Sequence, residues 1–391
     1  MTRLLTLLFG RLPIGWLQLT HNRPRMAAAL AGVAFANILV FVQLGILGAL
    51  NGTIGMTYQI FQADILITAS DANTLTDGSP LARRLMYQAL AVEGVSAAAP
   101  LYLAKLDWTR PDGSTANLQV YGLPPEAADF AGPRVRPALA ELRLPDRALI
   151  DERTRGVKRG ELAGISPAAP LRFEANGRSV EAVGSYPLGG GFAADGTLVV
   201  SDQTFLRLFG QRLSGTPSHI LIAVEPGRDV AQVSQRLAAA LAGEPVLVRP
   251  VAEAIARDLR YQTTQRPTGV IFGFGVFIGV LVGIVIVYQV LSTDVADHLA
   301  EYATFKAMGY AQRFFLGVVF EEAVVLGILG FLPGAALASG IYVMLSGATG
   351  LPVVMTAGRA LTVFLGTIAA CTLSGAIATR RLAHADPAEL F

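Results

Sequence analysis

The sequence predicts an α-helical membrane protein with four transmembrane helices and one large mixed α/β domain outside the membrane. Composition is the first observation: of 391 residues, 52% are hydrophobic and 15% are charged, whereas a soluble domain carries roughly 25% charged residues. The mean hydropathy of +0.49 is the second. The third is that the apolar residues form four uncharged runs, each long enough to cross a bilayer.

The amino-terminal segment, 1–25, mixes Leu and Phe with Arg and places Trp16 near the membrane. This mixture predicts an amphipathic helix at the inner interface, limited in length by Pro13 and Pro24. The first transmembrane helix is predicted at 26–50. Its uncharged run is longer than the apolar core of a signal peptide and begins too late, so we expect no cleavage.

The segment 51–266 is predicted to be the outer domain, because it is long enough to bury its own core. The stretches "ADILIT", "TANLQVYG", "LRFEA" and "HILIAV" alternate partly and predict strands. The stretches "PLARRLMYQALAVEG" and "DVAQVSQRLAAALAG" have helical periodicity with Gly beyond the end. The stretch "YPLGGGFAADG" predicts a flexible loop, with a partner contact as the alternative, since no Lys follows its glycines as in a phosphate-binding loop.

Three further transmembrane helices are predicted at 267–293, 313–345 and 360–379. A cytoplasmic segment, 294–312, joins the first two, and a short outer loop, 346–359, containing Gly347, Gly350 and Pro352, joins the last two. The chain ends in a cytoplasmic tail, 380–391. Gly330 and Gly334, on either side of Pro333, predict a kink in the third helix.

Lys and Arg in the short segments predict the orientation. One side of the membrane would carry eight of them, whereas the loop 346–359 carries Arg359 alone; the eight are Arg3, Arg11, Arg23, Arg25, Lys306, Arg313, Arg380 and Arg381. Both termini are therefore expected in the cytoplasm. The outer segment 51–266 has equal numbers of basic and acidic residues, and the whole chain has a net charge of +2, so the composition argues against nucleic-acid binding.

Three glycines recur every four residues in the second transmembrane run, at Gly275, Gly279 and Gly283. Residues at this spacing share one helix face, and small residues there allow another helix to approach closely. The pattern predicts a packing surface, either within the chain or across a dimer. The alternative is a membrane helix that is simply rich in glycine.

The segment "STDVADHLAEYATFKAMGY", Ser292–Tyr310, is charged between two apolar runs. Ser292, Thr293 or Asp294 is predicted to cap a helix that ends at Gly309. Its acidic stripe is either a solvated face or a surface that binds a partner protein, with Tyr302 and Phe305 as aromatic anchors. The candidate residues of this surface are Asp297, Glu301, Tyr302, Phe305, Lys306, Met308 and Gly309.

The sequence indicates no catalytic, cofactor or metal site. Cys371 is the single cysteine, and the four histidines lack metal-ligand spacing. No nucleophile or metalloprotease motif occurs, so we expect no covalent chemistry. Glu321 and Glu322 are expected close enough to the inner interface to stay in contact with water, in a structural role rather than an ion pathway.

Four stretches carry a resemblance to a known family: the loop "EYATFKAMGY", the tail "RRLAHADPAELF", the opening "WLQLTHNRPRMAAALAGVAFANILVFVQLGIL" and the later "RRLMYQALAVEGVSAAAPLY". They resemble the FtsX/MacB-type ABC permeases. The last two resemble the DevC branch, the permease subunit of tripartite exporters. One span, a large outer domain and three more spans also match that family. Residues 124–180 match no pattern of the family.

The resemblance implies a MacB-like periplasmic domain in a homodimer in the inner (plasma) membrane, surrounded by the lipid bilayer. It also implies two copies of a cytoplasmic ABC ATPase, a periplasmic adaptor protein and, through the adaptor, an outer-membrane channel. Such permeases transmit motion and do not conduct the substrate. The resemblance therefore implies that the charged segment Ser292–Tyr310 forms a coupling helix, which binds the ATPase and carries its motion to the spans on either side, and its candidate residues given above are the candidate coupling residues. MacB carries a fused ATPase ahead of its first span, whereas 25 residues precede it here, so the ATPase is expected on a separate polypeptide.

Three other functions are compatible with the sequence. FtsX-like proteins use the same architecture to activate cell-wall hydrolases, and relatives in the superfamily extract lipoproteins. A membrane-anchored enzyme with its site in 51–266 is the remaining alternative, against which stands the lack of a catalytic motif.

Overall fold

The computed structural model describes residues 14–110, 113–158, 160–297, 304 and 308–378. The chain divides into two compact units. The helical unit comprises 1–48, 270–346 and 353–391, and the sheet unit comprises 49–269 and 347–352. Each unit is described by itself.

Within these ranges the chain forms nine α-helices. They are α1 Ile14–His21, α2 Arg23–Thr57, α3 Arg84–Leu90, α4 Asp202–Leu208, α5 Val230–Ala240, α6 Val251–Thr264, α7 Pro267–Asp297, α8 Gln312–Thr349 and α9 Ala357–Ala378. In the described part, four stretches are long and apolar enough to cross a membrane: Arg23–Ile60, Pro267–Thr293, Leu316–Thr349 and Ala357–Ala378.

The long helices extend beyond the predicted spans. Helix α2 begins at Arg23 and includes Pro24, which is tolerated because the first turn of a helix has no intrahelical partner for its N–H groups. The same helix continues to Thr57, into the segment predicted as outer domain. Helix α8 runs without interruption through Pro333 to Thr349. Its last turn therefore occupies the start of the predicted loop 346–359.

The predicted helix start at Ser292–Asp294 is wrong. Helix α7 is continuous from Pro267 to Asp297, so these residues lie inside it and cap nothing. The Thr293 hydroxyl donates a hydrogen bond to the Gln289 carbonyl at 2.8 Å, as hydroxyls inside helices do. Capping propensity is a local preference of single residues, and here α7 continues beyond the residues that have it.

The sheet unit contains a mixed sheet of nine strands among the described residues, in the order β5-β6-β4-β7-β3-β2-β8-β1-β9. The strands are β1 Ile65–Ala69, β2 Val95–Thr109, β3 Thr115–Leu123, β4 Arg147–Asp151, β5 Leu171–Ala175, β6 Arg178–Tyr186, β7 Gly196–Ser201, β8 His219–Val224 and β9 Val246–Pro250. Strand β2 has 15 residues, and its first half pairs with β8 while its second half pairs with β3. It therefore belongs to two apolar cores.

One core lies where α3 and α5 cover β1 and β8, around Leu85, Leu237 and Ile222. The other lies where α4 covers the central strands, around Phe205, Leu118 and Leu198. The two predicted helices of this domain correspond to α3 and α5, and α5 begins after Asp229, whose carboxylate accepts the Ala231 N–H at 2.9 Å. The four predicted strands correspond to β1, β3, β5 and β8.

The glycine loop, residues 187–195, makes hydrogen bonds and an ion pair with Asp151 and Arg155. The buried Asp151 carboxylate accepts the N–H groups of Leu188 at 3.0 Å and Gly189 at 2.7 Å. Arg155 donates to the Gly191 carbonyl at 2.9 Å and pairs with Asp195 at 3.2 Å. Burial raises the pKa of Asp151, and the backbone N–H groups partly offset that shift. The loop is thus held at both ends.

Candidate coupling site at one end of the helical unit

The candidate coupling site lies where the described parts of α1, α2, α7 and α8 meet. The first turn of α2 contacts the last turn of α7, and α1 lies against the first half of α8. The segment 298–311, which joins α7 to α8 in the sequence, therefore begins and ends at this place.

An ion pair joins α2 to α7. Arg25 Nη1 lies 2.5 Å from Asp297 Oδ2. The Arg25 side chain is 26% exposed and that of Asp297 58% exposed, so water screens the attraction. Asp297 was predicted to face the ATPase, and in this structure its carboxylate contacts Arg25 of the same chain.

Glu321 and Glu322 are fully buried, so the prediction that they stay in contact with water is wrong. The reason is α1, which covers them. The backbone N–H of Trp16 donates to Glu321 Oε1 at 3.3 Å. Gly15 lies so close to α8 that a Cβ on it would sit 2.8 Å from Glu322 Cγ. Helix α1 thus packs on α8.

A small apolar core lies behind this surface and involves all the long helices. Leu19 of α1, Val33 of α2, Leu291 of α7, Leu326 of α8 and Cys371 of α9 are buried in one cluster. Because close-packed interiors compress little, a displacement of α7 or α8 at this end is passed to its neighbours. This arrangement suits the transmission of motion.

Four of the candidate coupling residues, Glu301, Tyr302, Phe305 and Lys306, lie outside the described residues. Of the remaining candidates, the Met308 N–H donates to the Thr304 carbonyl at 3.1 Å.

Gly309 follows with φ +93°, the left-handed conformation that ends helices. Two apolar side chains then stand out: Met308 is 61% exposed and Tyr310 is 46% exposed. The Tyr310 ring contacts that of Phe314, with centroids 4.8 Å apart and ring planes tilted by 49°.

The three predicted packing glycines all face α2. A Cβ on Gly279 would lie 3.1 Å from Val40 Cγ2, and one on Gly283 would lie 3.1 Å from Ala36 Cβ. One on Gly275 would lie 2.5 Å from the side chain of Gln43. In this structure the neighbour of the glycine face is therefore another helix of the same chain.

Sequence reasoning missed a set of polar contacts between helices. The Thr367 hydroxyl of α9 donates to Asn37 Oδ1 of α2 at 2.6 Å. The Ser374 hydroxyl donates to the Ile284 carbonyl of α7 at 3.1 Å, and the Tyr342 hydroxyl of α8 donates to the Phe41 carbonyl. The polar residues inside the apolar runs could have predicted these contacts, because such residues form hydrogen bonds with neighbouring helices.

Comparison with known proteins gives one family match. The model of the FtsX-like permease C-terminal family matches residues 273–387, which include most of α7 and all of α8 and α9. This match supports the FtsX/MacB-type part of the sequence resemblance. A search of the curated proteins gave no match.

Three solved structures show a weak likeness. The extracellular domain of the noncanonic ABC-type transporter YknZ from Gram-positive bacteria is 12% identical, with a TM-score of 0.34, over 48% of this chain and 98% of that one. The periplasmic region of MacB from Actinobacillus actinomycetemcomitans is 11% identical, with a TM-score of 0.34, over 51% and 94%. A domain of a putative permease from Porphyromonas gingivalis is 16% identical, with a TM-score of 0.29, over 49% and 88%. Scores of this size carry no argument about function.

Proposed function

We propose that this chain is the permease subunit of an ATP-driven tripartite export system of the DevC type. In this proposal it lies in the inner membrane as a homodimer with both termini in the cytoplasm. A separate cytoplasmic ATPase drives it, and its periplasmic domain engages an adaptor protein that leads to an outer-membrane channel. The family match over 273–387 is the observation that carries the proposal.

The geometry of the candidate coupling site supports this role. The segment 298–311 lies between two long helices that share one packed core, so a force on that segment acts on both. The exposed side chains of Met308 and Tyr310 offer apolar contact area at its end. Buried aromatic and Met side chains are typical anchors of protein interfaces. ATP hydrolysis itself is assigned to the partner subunit.

Pull-down of the partner ATPase by the purified full chain tests the proposal. Phe305→Ala is expected to lower the affinity about tenfold, and more than Asp294→Ala, because aromatic anchors outweigh charges at an interface rim. Glu301→Arg is expected to weaken binding in a manner that depends on salt. Tyr310→Ala is expected to weaken it as well.

Tyr87→Ala is the matched control for Tyr310→Ala. Tyr87 is a 61% exposed tyrosine on α3 of the sheet unit, and its loss should leave recovery of the ATPase unchanged. Parental recovery with both Phe305→Ala and Glu301→Arg would remove the coupling role from this segment.

A further inference from the structure

The first half of β2 has an open edge, which the function proposed above does not use. Residues 102–109 of β2 pair with β3, whereas residues 95–101 pair with β8 on the opposite side. Among the described residues, no strand pairs with the remaining side of 95–101. The sheet therefore has an unpaired stretch of strand in addition to its two end strands, β5 and β9.

Two prolines end the ladder between β2 and β3. The last pair is Tyr102 with Gly122, and the same register, continued by two residues, places Pro100 opposite Pro124. Proline has no backbone N–H, so neither residue can donate a hydrogen bond to the other. Strand β3 ends before Pro124, whose carbonyl accepts the Ala127 N–H at 3.0 Å in the turn that follows. Strand β2 thus continues without a partner on this side.

The alternation of the strand identifies the backbone groups on the open edge. The Leu101 carbonyl accepts the Ser218 N–H at 2.9 Å, so the backbone groups of Leu101 point toward β8. Successive residues of a strand direct these groups to opposite sides, and the register with β8 is regular from Ala97 onward. The N–H and C=O of Ala98 and the C=O of Pro100 therefore point to the open edge. No hydrogen bond within the described residues reaches these three groups.

A groove of about 520 Å³ runs along this edge. Every residue from Ser96 to Pro100 lines it, whereas a groove across one face of the sheet would meet alternate residues only. Met86 of α3 also lines the groove and belongs to the apolar cluster against which Ala98 packs. Residues 62–64 and the turn after β3 form the rest of the lining. The groove thus follows the open edge and is walled by other parts of the sheet unit.

The groove is acidic. Its lining and the charged residues next to the lining comprise four carboxylates and two guanidinium groups, namely Asp64, Glu126, Asp129, Asp202, Arg83 and Arg136. Arg136 donates to the Asp129 carbonyl at 2.8 Å. Burial raises the pKa of Asp202, and a backbone N–H and the Arg83 guanidinium partly offset that shift. With one carboxylate beside each guanidinium group, two negative charges remain.

Two of the carboxylates, Asp64 and Glu126, lie toward opposite ends of the open edge. Asp64 accepts the Val224 N–H at 2.8 Å, and Val224 pairs with the first residue of β2. Glu126 lies in the turn after β3, at the other end. Residues 96–100 span about 13 Å in an extended strand. A strand of that length with a basic side chain toward each end matches this charge pattern.

The two end strands of the sheet differ from this edge in charge. Strand β5 carries Arg172 and Glu174, and β9 carries Arg249. Charged side chains on an edge strand oppose pairing with another chain. Residues 95–101 of β2 carry no charge, and the side chains at 97–99 are all alanine. Of the three edges, the one on β2 therefore offers the least resistance to an added strand.

We propose that the open edge of β2 binds an extended segment of a partner protein that has a lysine or arginine toward each end. The segment adds as a strand beside 96–100 and pairs with the backbone groups on the open edge. Its basic side chains approach Asp64 and Glu126. A second copy of this chain is a poorer occupant, because two-fold pairing of the same edge brings the carboxylates of the two copies together. The inference goes beyond the proposed function and needs neither the ATPase nor export.

Fluorescence anisotropy of a labelled peptide, added to the full chain in a neutral detergent, tests the proposal. The probe is a heptapeptide of alternating Val and Thr with Lys at each end. The same peptide with Glu at each end should bind at least tenfold more weakly at low salt, because like charges repel. A proline at the central position of the Lys peptide should weaken binding about tenfold, because it removes a backbone donor.

Glu126→Lys is expected to weaken binding of the Lys peptide about tenfold and to strengthen binding of the Glu peptide, because it reverses the charge at one end of the groove. Glu174→Lys is the matched control, since it reverses an exposed glutamate of the same unit, on β5 and outside the groove. It should leave both affinities at the parental level. Both glutamates are exposed, so the fold should tolerate either change.

Hydrogen exchange followed by mass spectrometry locates the bound peptide on the protein. The Ala98 N–H points to the open edge, so pairing with an added strand should slow exchange over 95–101. Residues 171–175 of β5 should exchange at the same rate with and without the peptide.

Three results would overturn the proposal: equal binding of the Lys and Glu peptides, equal effects of Glu126→Lys and Glu174→Lys, or unchanged exchange over 95–101 at saturating peptide. A decrease in oligomer size when the peptide is added, seen by size-exclusion chromatography, would assign the edge to a second copy and would overturn it as well. Recovery of the ATPase by Glu126→Lys should match the parent, so these tests and that of the proposed function fail independently.

Discussion

The helical unit and the sheet unit place buried polar groups in different ways. In the helical unit, close approach of helices depends on missing side chains, as at Gly279 and Gly330, and the polar contacts are single hydrogen bonds such as Thr367 to Asn37. In the sheet unit, a buried carboxylate collects several backbone donors, as Asp151 does from the glycine loop.

The two units should therefore be sensitive to different kinds of substitution. Helices that pack closely because glycine has no side chain are sensitive to added side-chain volume. A domain held by buried hydrogen bonds is sensitive to changes of charge and protonation.

The largest expected effect is a loss of sheet-unit stability in acid, through His219. Burial lowers the pKa of His219 to about 4, and its Nε2 donates to the Leu75 carbonyl at 2.7 Å. In the unfolded chain the ring titrates near 6.5, so the unfolded state binds more protons between these values. The free energy of unfolding should therefore fall by about 3 kcal/mol as the pH drops from 6.5 to 4.

Denaturant unfolding of the full chain measures this effect. Trp108 is buried in the sheet unit and is the reporter, after Trp16→Phe removes the other tryptophan. His219→Gln keeps a donor near Leu75 and cannot become protonated in this range, so its pH dependence should be flatter than the parent's. Identical slopes for the two proteins would contradict the assignment.

The next largest expected effect is a loss of stability when side-chain volume is added in the helical unit. Gly279→Leu should lower stability by about 2 kcal/mol, because the added side chain overlaps Val40 of α2. Gly273→Leu is the matched control on the same helix, since a Cβ there meets nothing within 4 Å. The midpoint of thermal aggregation in detergent, followed by size-exclusion chromatography, compares the two. Equal midpoints would show that α2 does not depend on this glycine face.

The smallest effect belongs to the ion pair of Arg25 and Asp297. Both side chains are partly exposed, so a double-mutant cycle with Arg25→Gln and Asp297→Asn should give a coupling energy of about 0.5 kcal/mol, reduced further at high salt. A coupling of several kcal/mol that is independent of salt would mean that this end of the helical unit is held by charge, as the sheet unit is.

The sequence alone determined the four apolar helices, because each is marked by an uncharged run of twenty residues or more. It also indicated β1, β3, β5 and β8 through alternation, and α3 and α5 through periodicity. Strand β2 was not predicted, because its stretch Ala97, Ala98, Ala99 and Pro100 neither alternates in polarity nor has strand propensity.

Tertiary structure decided the rest, since it depends on residues far apart in the chain. The acidic pair Glu321 and Glu322 is buried because α1, some 300 residues earlier in the sequence, lies over it. The glycine loop is fixed because Asp151, 38 residues before Gly189, receives its N–H groups. Lys105, Gln119 and Thr197 lie side by side on β2, β3 and β7 because these strands pair in one register. Packing sets the register of strands that are far apart in the sequence, so local sequence could not predict it.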